Sequence, residues 1–170
     1  MSIRKIYHYP APVLREETAR ITEFDDSLKT LVEDMAETMY DAPGIGLAAP
    51  QIGESLKLVV VDLSRSKNQE EQDYMVLVNP EIVEHEGKQI DEEGCLSVPE
   101  LTSKVNRFRK ITVDYQDLEG QKQSLTAEDR FAVVLQHEID HLNGILFLDH
   151  LSSLKKNLYK KKVRKWMQDR

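Results

Sequence analysis

The sequence predicts an α+β fold in which mostly antiparallel strands pack around a central, buried helix, with a further helix at the C-terminal end. Short runs of β-branched residues lie between turn-forming residues, which is typical of strands. Two longer segments repeat apolar residues at helical spacing, and a third segment is almost entirely apolar. With 170 residues, of which 40% are hydrophobic, the chain is expected to form one domain, residues 1–170, with a sizeable core.

The first half of the chain is predicted to supply one helix and four strands. The helix places apolar residues on one side at positions Leu28, Leu31, Val32, Met35 and Met39. This helix is expected at 25–40. The elements expected after it are a buried strand at 56–63, a Glu-rich insertion loop at 66–73, a strand at 74–79 and a hairpin of 82–86 with 88–92. Gly87 is the expected turn of that hairpin, and Pro80 is expected to end the strand before it.

The second half is predicted to supply a hairpin and two helices. Their expected ranges are strands at 110–116 and 121–125 about a turn at 117–120, a buried helix at about 127–143 and a last helix at about 152–167. Thr126 is expected to cap the buried helix, with Asp129 as its partner in a capping box. Gly144 is expected to stop the same helix.

The buried helix carries the most informative pattern of the chain, H-E-x-x-H at His137, Glu138 and His141. One helical turn separates the two histidines, so both imidazoles can bind one metal ion. Glu138 is well placed to take a proton from water at that ion. Buried polar groups cost free energy unless they have partners, which favours a metal site over two packed histidines.

A catalytic metal usually has three protein ligands, so a third ligand is expected elsewhere in the chain. The longer pattern that continues to a third histidine fails here, because Phe147 stands at its position. Asp149 and His150 remain possible, although they follow a glycine turn and need a tight return of the chain. Cys95, the single cysteine, is the better candidate, because a thiolate is a strong ligand for zinc or ferrous iron.

A glycine-rich segment at residues 44–51 contains the pattern G-x-G. It lacks the third glycine of a dinucleotide site and the Lys-Ser/Thr pair of a nucleoside triphosphate site. Its glycines indicate instead a close approach of the backbone to another group. An ordinary loop between helix and strand is the alternative.

Residues 44–51, 93–97 and 137–141 resemble the three signature motifs of the peptide deformylases, in the family's order and with comparable separations. The resemblance extends to residues 9–15 and to the basic C-terminal helix of many bacterial members. It implies hydrolysis of the N-formyl group from the N-terminal formyl-methionine of newly made polypeptides, with release of formate. A small zinc endopeptidase and a metal-binding protein without catalytic activity are the alternatives.

The resemblance implies a role for each matched position. The implied metal ligands are Cys95, His137 and His141. The implied ion is Fe²⁺, which Zn²⁺, Ni²⁺ or Co²⁺ can replace. Glu138 is implied as the general base and acid, and Gln51 and the backbone N–H of Leu96 as donors to the oxyanion.

Substrate binding is expected at two places. The resemblance puts Ile45 and Gly46 at the rim of the substrate site. Val133 and Val134 lie one helical turn before His137, so they are expected to line an apolar pocket for methionine. Some bacterial members carry an arginine shortly after the cysteine motif, whereas residues 99–106 contain none.

Positive charge is concentrated at the C-terminal end. Residues 151–170 contain eight Lys and Arg and one acid, so this segment has a net charge of +7. Because the whole chain has a net charge of −7, the other 150 residues have a net charge of −14. Such a block often contacts a polyanion. The resemblance implies that this polyanion is the ribosome, contacted through the helix from Ser152 to Arg170. The alternative is a solvated helix face, opposite a packing stripe formed by Leu154, Leu158, Val163 and Trp166.

No membrane partner is expected, because no apolar run of the sequence is long enough to span a bilayer. The first residues do not have the pattern of a secretory signal. A single cysteine suits a reducing compartment, so a cytoplasmic location is expected.

Overall fold

A computed structural model describes residues 2–64 and 72–169 of the chain. Within them lie three α-helices and seven strands: α1 (Asp26–Asp41), β1 (Gly46–Ala48), β2 (Leu58–Val61), β3 (Met75–Glu86), β4 (Gln89–Cys95), β5 (Val98–Arg107), β6 (Lys110–Gln116), β7 (Lys122–Glu128), α2 (Asp129–Leu142) and α3 (Ser153–Gln168). The insertion loop expected at 66–73 falls outside the described residues, apart from its last two positions.

The strands form two separate antiparallel sheets. The larger has the order β1-β2-β3-β6-β7, and β4 pairs with β5 in a two-stranded sheet. Helix α2 packs on the larger sheet and also contacts β4, so it lies where the two sheets meet. The predicted α+β class and its mostly antiparallel strands are confirmed.

The expected hairpin about Gly87 is wrong. Strand β3 continues through Pro80 to Glu86 and pairs with β6, whereas the residues after Gly87 form β4 and pair with β5. The register of β3 shifts between Val78 and Glu81, and Asn79 has a φ of 51°. Pro80 is tolerated there because an irregular position in a ladder needs no backbone N–H from it.

The expected start of the buried helix that carries H-E-x-x-H is also wrong. Thr126 lies inside β7, opposite Thr112, and the pairing of β7 with β6 continues to Glu128 before α2 begins at Asp129. Thr126 therefore belongs to the ladder between β6 and β7 and does not cap the helix. The predicted end is confirmed, because Gly144 follows the helix with a φ of 72°.

The first and last helices bury one side each. In α1, the Asp25 side chain accepts a hydrogen bond from the Leu28 N–H at 3.1 Å, and the predicted apolar positions are buried. In α3, Tyr159 and Val163 are buried, but Leu154 and Leu158 are 69% and 59% exposed, so the predicted packing stripe is wrong in these two positions. Leu154 and Leu158 lie roughly 100° to 140° around the helix from Tyr159, because each residue advances the helix by about 100°.

Candidate active site

A cavity of about 1170 Å³ opens between the two sheets and reaches the H-E-x-x-H helix. It is lined by nine of the residues singled out from the sequence: Ile45, Gly46, Gln51, Cys95, Leu96, Val133, Val134, His137 and Glu138. His141 lies behind this lining and is buried. The fold thus gathers every predicted site residue around one cleft.

The three candidate metal ligands converge at the floor of the cleft. The Cys95 sulfur and one ring nitrogen each of His137 and His141 all lie within 4.8 Å of one another, and Cys95 Sγ is 3.4 Å from His141 Nε2. Bond lengths of about 2.3 Å to sulfur and about 2.0 Å to nitrogen, at a tetrahedral angle, would place these two atoms roughly 3.5 Å apart. The residues present therefore fit a tetrahedral ion such as zinc or ferrous iron.

A buried ion pair fixes the orientation of His137. Its Nδ1 is 2.9 Å from Glu93 Oε1, which leaves Nε2 for the metal. Two nitrogens of Arg107 donate to the Glu93 carboxylate at 2.8 Å each, and its third nitrogen, Nη1, donates to Asp140 Oδ2 at 2.6 Å. His150 Nε2 lies 3.0 Å from the same Asp140 oxygen. A continuous polar chain therefore links His137 to the protein surface.

Sequence reasoning missed this network. Glu93 belongs to the cysteine motif and Asp140 to the histidine motif, and neither was given a role. Arg107 lies at the end of β5, and no local pattern marks it as the partner of Glu93. Only the pairing of β4 with β5, which was not predicted, brings the two side chains together.

Burial and charged neighbours shift the pKa values of several groups in the site. Burial alone would raise the pKa of Glu93, but hydrogen bonds from Arg107 and His137 outweigh it and lower the pKa to about 2. Burial likewise opposes a charge on His137, yet the Cys95 sulfur and Glu93 raise its pKa. Burial and the neighbouring positive charge of His137 lower the pKa of His141, so its imidazole stays neutral and can bind a metal.

Glu138 lies beside these ligands in a closed environment. Burial raises the pKa of its carboxyl group to about 7, and its Oε1 has no hydrogen-bond partner among residues 2–64 and 72–169. A Cβ atom added to Gly46 would overlap the Glu138 carboxylate. The close backbone approach expected of the glycine-rich segment is thus confirmed. The group that the backbone approaches is the carboxylate of Glu138, the candidate base.

The Gln51 side chain is held in one orientation by its neighbours. It lies in a short 3-10 helix, Ala49–Ile52, where its Oε1 accepts a hydrogen bond from the Ala48 N–H at 2.9 Å. Its Nε2 donates to Ser97 Oγ at 3.0 Å and lies 3.6 Å from Cys95 Sγ. An amide fixed in this way presents a preorganised donor beside the candidate metal ligands.

The remaining predicted residues give the cleft an apolar wall. Val133 and Val134 are buried on the side of α2 that reaches the cleft, and Ile45 and Leu96, which also line it, are half-buried. Thr102, from the stretch 99–106 that contains no arginine, also lines the cleft. The arrangement combines a Cys/His group that could hold a metal ion, a buried carboxyl group and an apolar recess.

Comparison with known proteins points to one family. The family model described as polypeptide deformylase matches residues 3–157. A peptide deformylase of Desulfotalea psychrophila is 72% identical over 98% of both chains, and one of Acidobacterium capsulatum is 49% identical over 97% of this chain and 96% of its own. The crystal structure of a Legionella pneumophila peptide deformylase superposes with a TM-score of 0.90, at 47% identity, over 98% of this chain and 96% of that one.

Proposed function

The chain belongs to the peptide deformylase family, hydrolases that remove the N-formyl group from newly made polypeptides, and we propose that it does so with the groups gathered in this cleft. The observation that supports these roles is the convergence of Cys95, His137 and His141 within 4.8 Å beside a buried carboxylate, Glu138. These three residues would hold a divalent ion. When bound, that ion acidifies water and polarises the formyl carbonyl.

Proton transfer is assigned to Glu138. Its carboxylate takes the proton of the attacking water and then delivers it to the leaving amine. A pKa of about 7 suits both steps, because the group is then neither a very weak base nor a very weak acid near neutral pH. The Gln51 amide and the backbone N–H of Leu96 donate to the oxyanion as negative charge develops on the former carbonyl oxygen.

The proposed native ion is Fe²⁺, with Zn²⁺, Ni²⁺ or Co²⁺ able to replace it. One thiolate and two imidazoles accept all of these ions, so the preference for iron rests on the family. Cys95 is a half-buried free cysteine, and its sulfur is subject to oxidation, which supports a reducing cytoplasm as the place of action.

The first side chain of the substrate is assigned to the apolar wall formed by Ile45, Val133 and Val134, with Gly46 at the rim. Methionine fits such a recess because its flexible thioether adapts to apolar surfaces. We expect formyl-Met peptides to exceed formyl-Gly peptides by at least about tenfold in kcat/KM. Equal values would remove the pocket from the proposal.

Formate release from formyl-Met-Ala-Ser tests the reaction. Protein purified without oxygen and loaded with Fe²⁺ should release formate, and Glu138→Gln should lose most of the turnover while retaining its metal. Glu81→Gln makes the same chemical change at an exposed position of β3 and should behave as the wild type. Absence of formate release from the wild type, or cleavage of internal peptide bonds instead, would reject the assignment.

Helix α3 is the proposed contact to the ribosome. Its exposed cations include Lys160, Lys161, Lys162, Arg164 and Lys165, and they lie on an otherwise acidic chain. RNA attracts such a cluster, and salt weakens the attraction. The double variant Lys161→Glu and Lys165→Glu should co-sediment less with ribosomes at low salt. The control is Lys29→Glu with Lys122→Glu, which makes the same charge change on exposed residues of α1 and β7; equal losses in both would contradict a role for α3.

A further inference from the structure

Helix α3 is tied to the strand that forms one edge of the cleft. The buried Tyr159 hydroxyl donates a hydrogen bond to the Pro99 carbonyl at 2.8 Å. Four residues earlier on the same helix, Lys155 Nζ lies 3.2 Å from the buried Ser103 Oγ. Both ties reach β5, and together they join the first and second turns of α3 to this one strand.

The two ties lie on either side of three of the four β5 residues that line the cleft, and the fourth, Val98, directly precedes Pro99. Glu100, Leu101 and Thr102 all face the cavity, and they lie between Pro99 and Ser103. Glu100 has a φ of 61°, an uncommon conformation for a residue with a side chain. Such a conformation persists only where neighbouring contacts hold it, and the Pro99 carbonyl is directly adjacent to it.

Further contacts hold the donor itself. The Tyr159 ring packs against Tyr9 and Trp166, with ring centroids 6.0 and 6.1 Å apart. The Tyr9 N–H donates to the Ser97 carbonyl at 2.7 Å, so the same cluster also braces the turn between β4 and β5. Burial raises the pKa of Tyr159 to about 12, so its hydroxyl remains a donor throughout the neutral range.

We propose that Tyr159 and Lys155 are positioning residues of this enzyme, which hold residues 99–103 in the conformation that binds the peptide portion of the substrate. The inference rests on the proposed function of the cleft. The hydrogen bonds of both side chains go to β5, and neither bonds to the candidate metal ligands, Glu138 or Gln51 in the described part of the chain. Their loss is therefore expected to weaken substrate binding and to leave the chemical step nearly unchanged.

The test compares kinetic constants for formyl-Met-Ala-Ser. Tyr159→Phe removes a single hydroxyl and should raise KM by about threefold to tenfold, the equivalent of one lost hydrogen bond, with kcat changed by less than about twofold. Lys155→Met should raise KM in the same way, and Lys155→Arg, which keeps a donor, should restore it. Tyr115→Phe on β6 and Lys29→Met on α1 are the matched controls, since neither side chain makes a hydrogen bond within the described part of the chain.

Hydrogen exchange provides a readout that does not depend on turnover. The amides of residues 100–102 should exchange faster in Tyr159→Phe than in the wild type, while those of α2 should not change. A wild-type KM in both Tyr159→Phe and Lys155→Met, or a fall in kcat at constant KM, would overturn the proposal. If the wild type released no formate, the proposed function would fail, and unchanged exchange at residues 100–102 would then separately refute the positioning role.

Discussion

Replacing Arg107 by alanine is expected to destabilise the fold more than any surface charge change. The Arg107 side chain is 4% exposed, and it donates to the equally buried Glu93 through two hydrogen bonds of 2.8 Å. The substitution leaves the Glu93 carboxylate buried with only His137 as a partner. It also removes the 2.6 Å contact to Asp140, whose side chain is more exposed and keeps His150.

Two independent estimates give the size of the loss. Removing one partner of a buried ion pair costs roughly 3–5 kcal/mol, because the other charge stays buried and uncompensated. The Glu93 pKa, lowered from 4.5 to about 2, corresponds to about 3 kcal/mol of preference for its charged form. We therefore expect Arg107→Ala to lower the free energy of unfolding by about 3 kcal/mol or more.

Equilibrium unfolding in urea at pH 7, followed by circular dichroism on metal-free protein, measures this loss. Arg109→Ala is the control: Arg109 is 46% exposed and lies 3.8 Å from Asp129, so its loss should cost less than about 1 kcal/mol. If the two variants unfold with free energies within about 1 kcal/mol of each other, the ion pair does not have the assigned energy.

Acid should reduce the difference between the wild type and Arg107→Ala. Because the folded-state pKa of Glu93 is depressed, its contribution is fully present above the unfolded value of 4.5 and is lost as the pH falls towards about 2. The variant lacks most of that contribution, so the two unfolding free energies should converge over this range. A difference that stays constant from pH 7 to pH 3 would contradict the assigned pKa.

Three other changes probe the site and the core. Gly46→Ala should lower kcat by about a hundredfold or more at unchanged metal content, because the new methyl group displaces Glu138. Steady-state kinetics with metal analysis measures this effect. A normal kcat would show that other atoms move to relieve the overlap. Cys95→Ser should lower metal affinity at least about tenfold in competition with a chelator, and unchanged affinity would exclude Cys95 as a ligand. Leu135→Ala, at a fully buried position, should cost about 2–5 kcal/mol in urea unfolding, whereas Leu154→Ala, at 69% exposure, should cost less than about 0.5 kcal/mol; equal costs would contradict the packing.

Local patterns explain why the predicted site residues could be found without a structure. The spacing of His137 and His141 depends only on helical geometry, and the burial of that helix is visible in the apolar residues before it. Cys95 could be chosen by its chemistry alone, since a metal with two imidazoles needs a third ligand.

Features that depend on strand pairing could not be found in this way. The turn at Gly87 has the composition of a hairpin, but the partner of each flanking strand is decided by packing against distant residues. Strand β5 is absent from the predicted elements because its buried face carries polar residues, Ser103 and Arg107, so the sequence shows no clear apolar alternation there. The partnership of Arg107 with Glu93 could not be predicted either, because the two side chains meet only when β4 and β5 are paired.

The division of the proposed metal ligands between two elements has a thermodynamic consequence. Cys95 ends a strand of the small sheet, whereas His137 and His141 belong to the helix that packs on the large one. An ion bound by all three therefore links the docking of the hairpin β4–β5 to the occupancy of the site. Such linkage is reciprocal: whatever loosens the hairpin weakens metal affinity by the same free energy that the ion contributes to holding the hairpin in place.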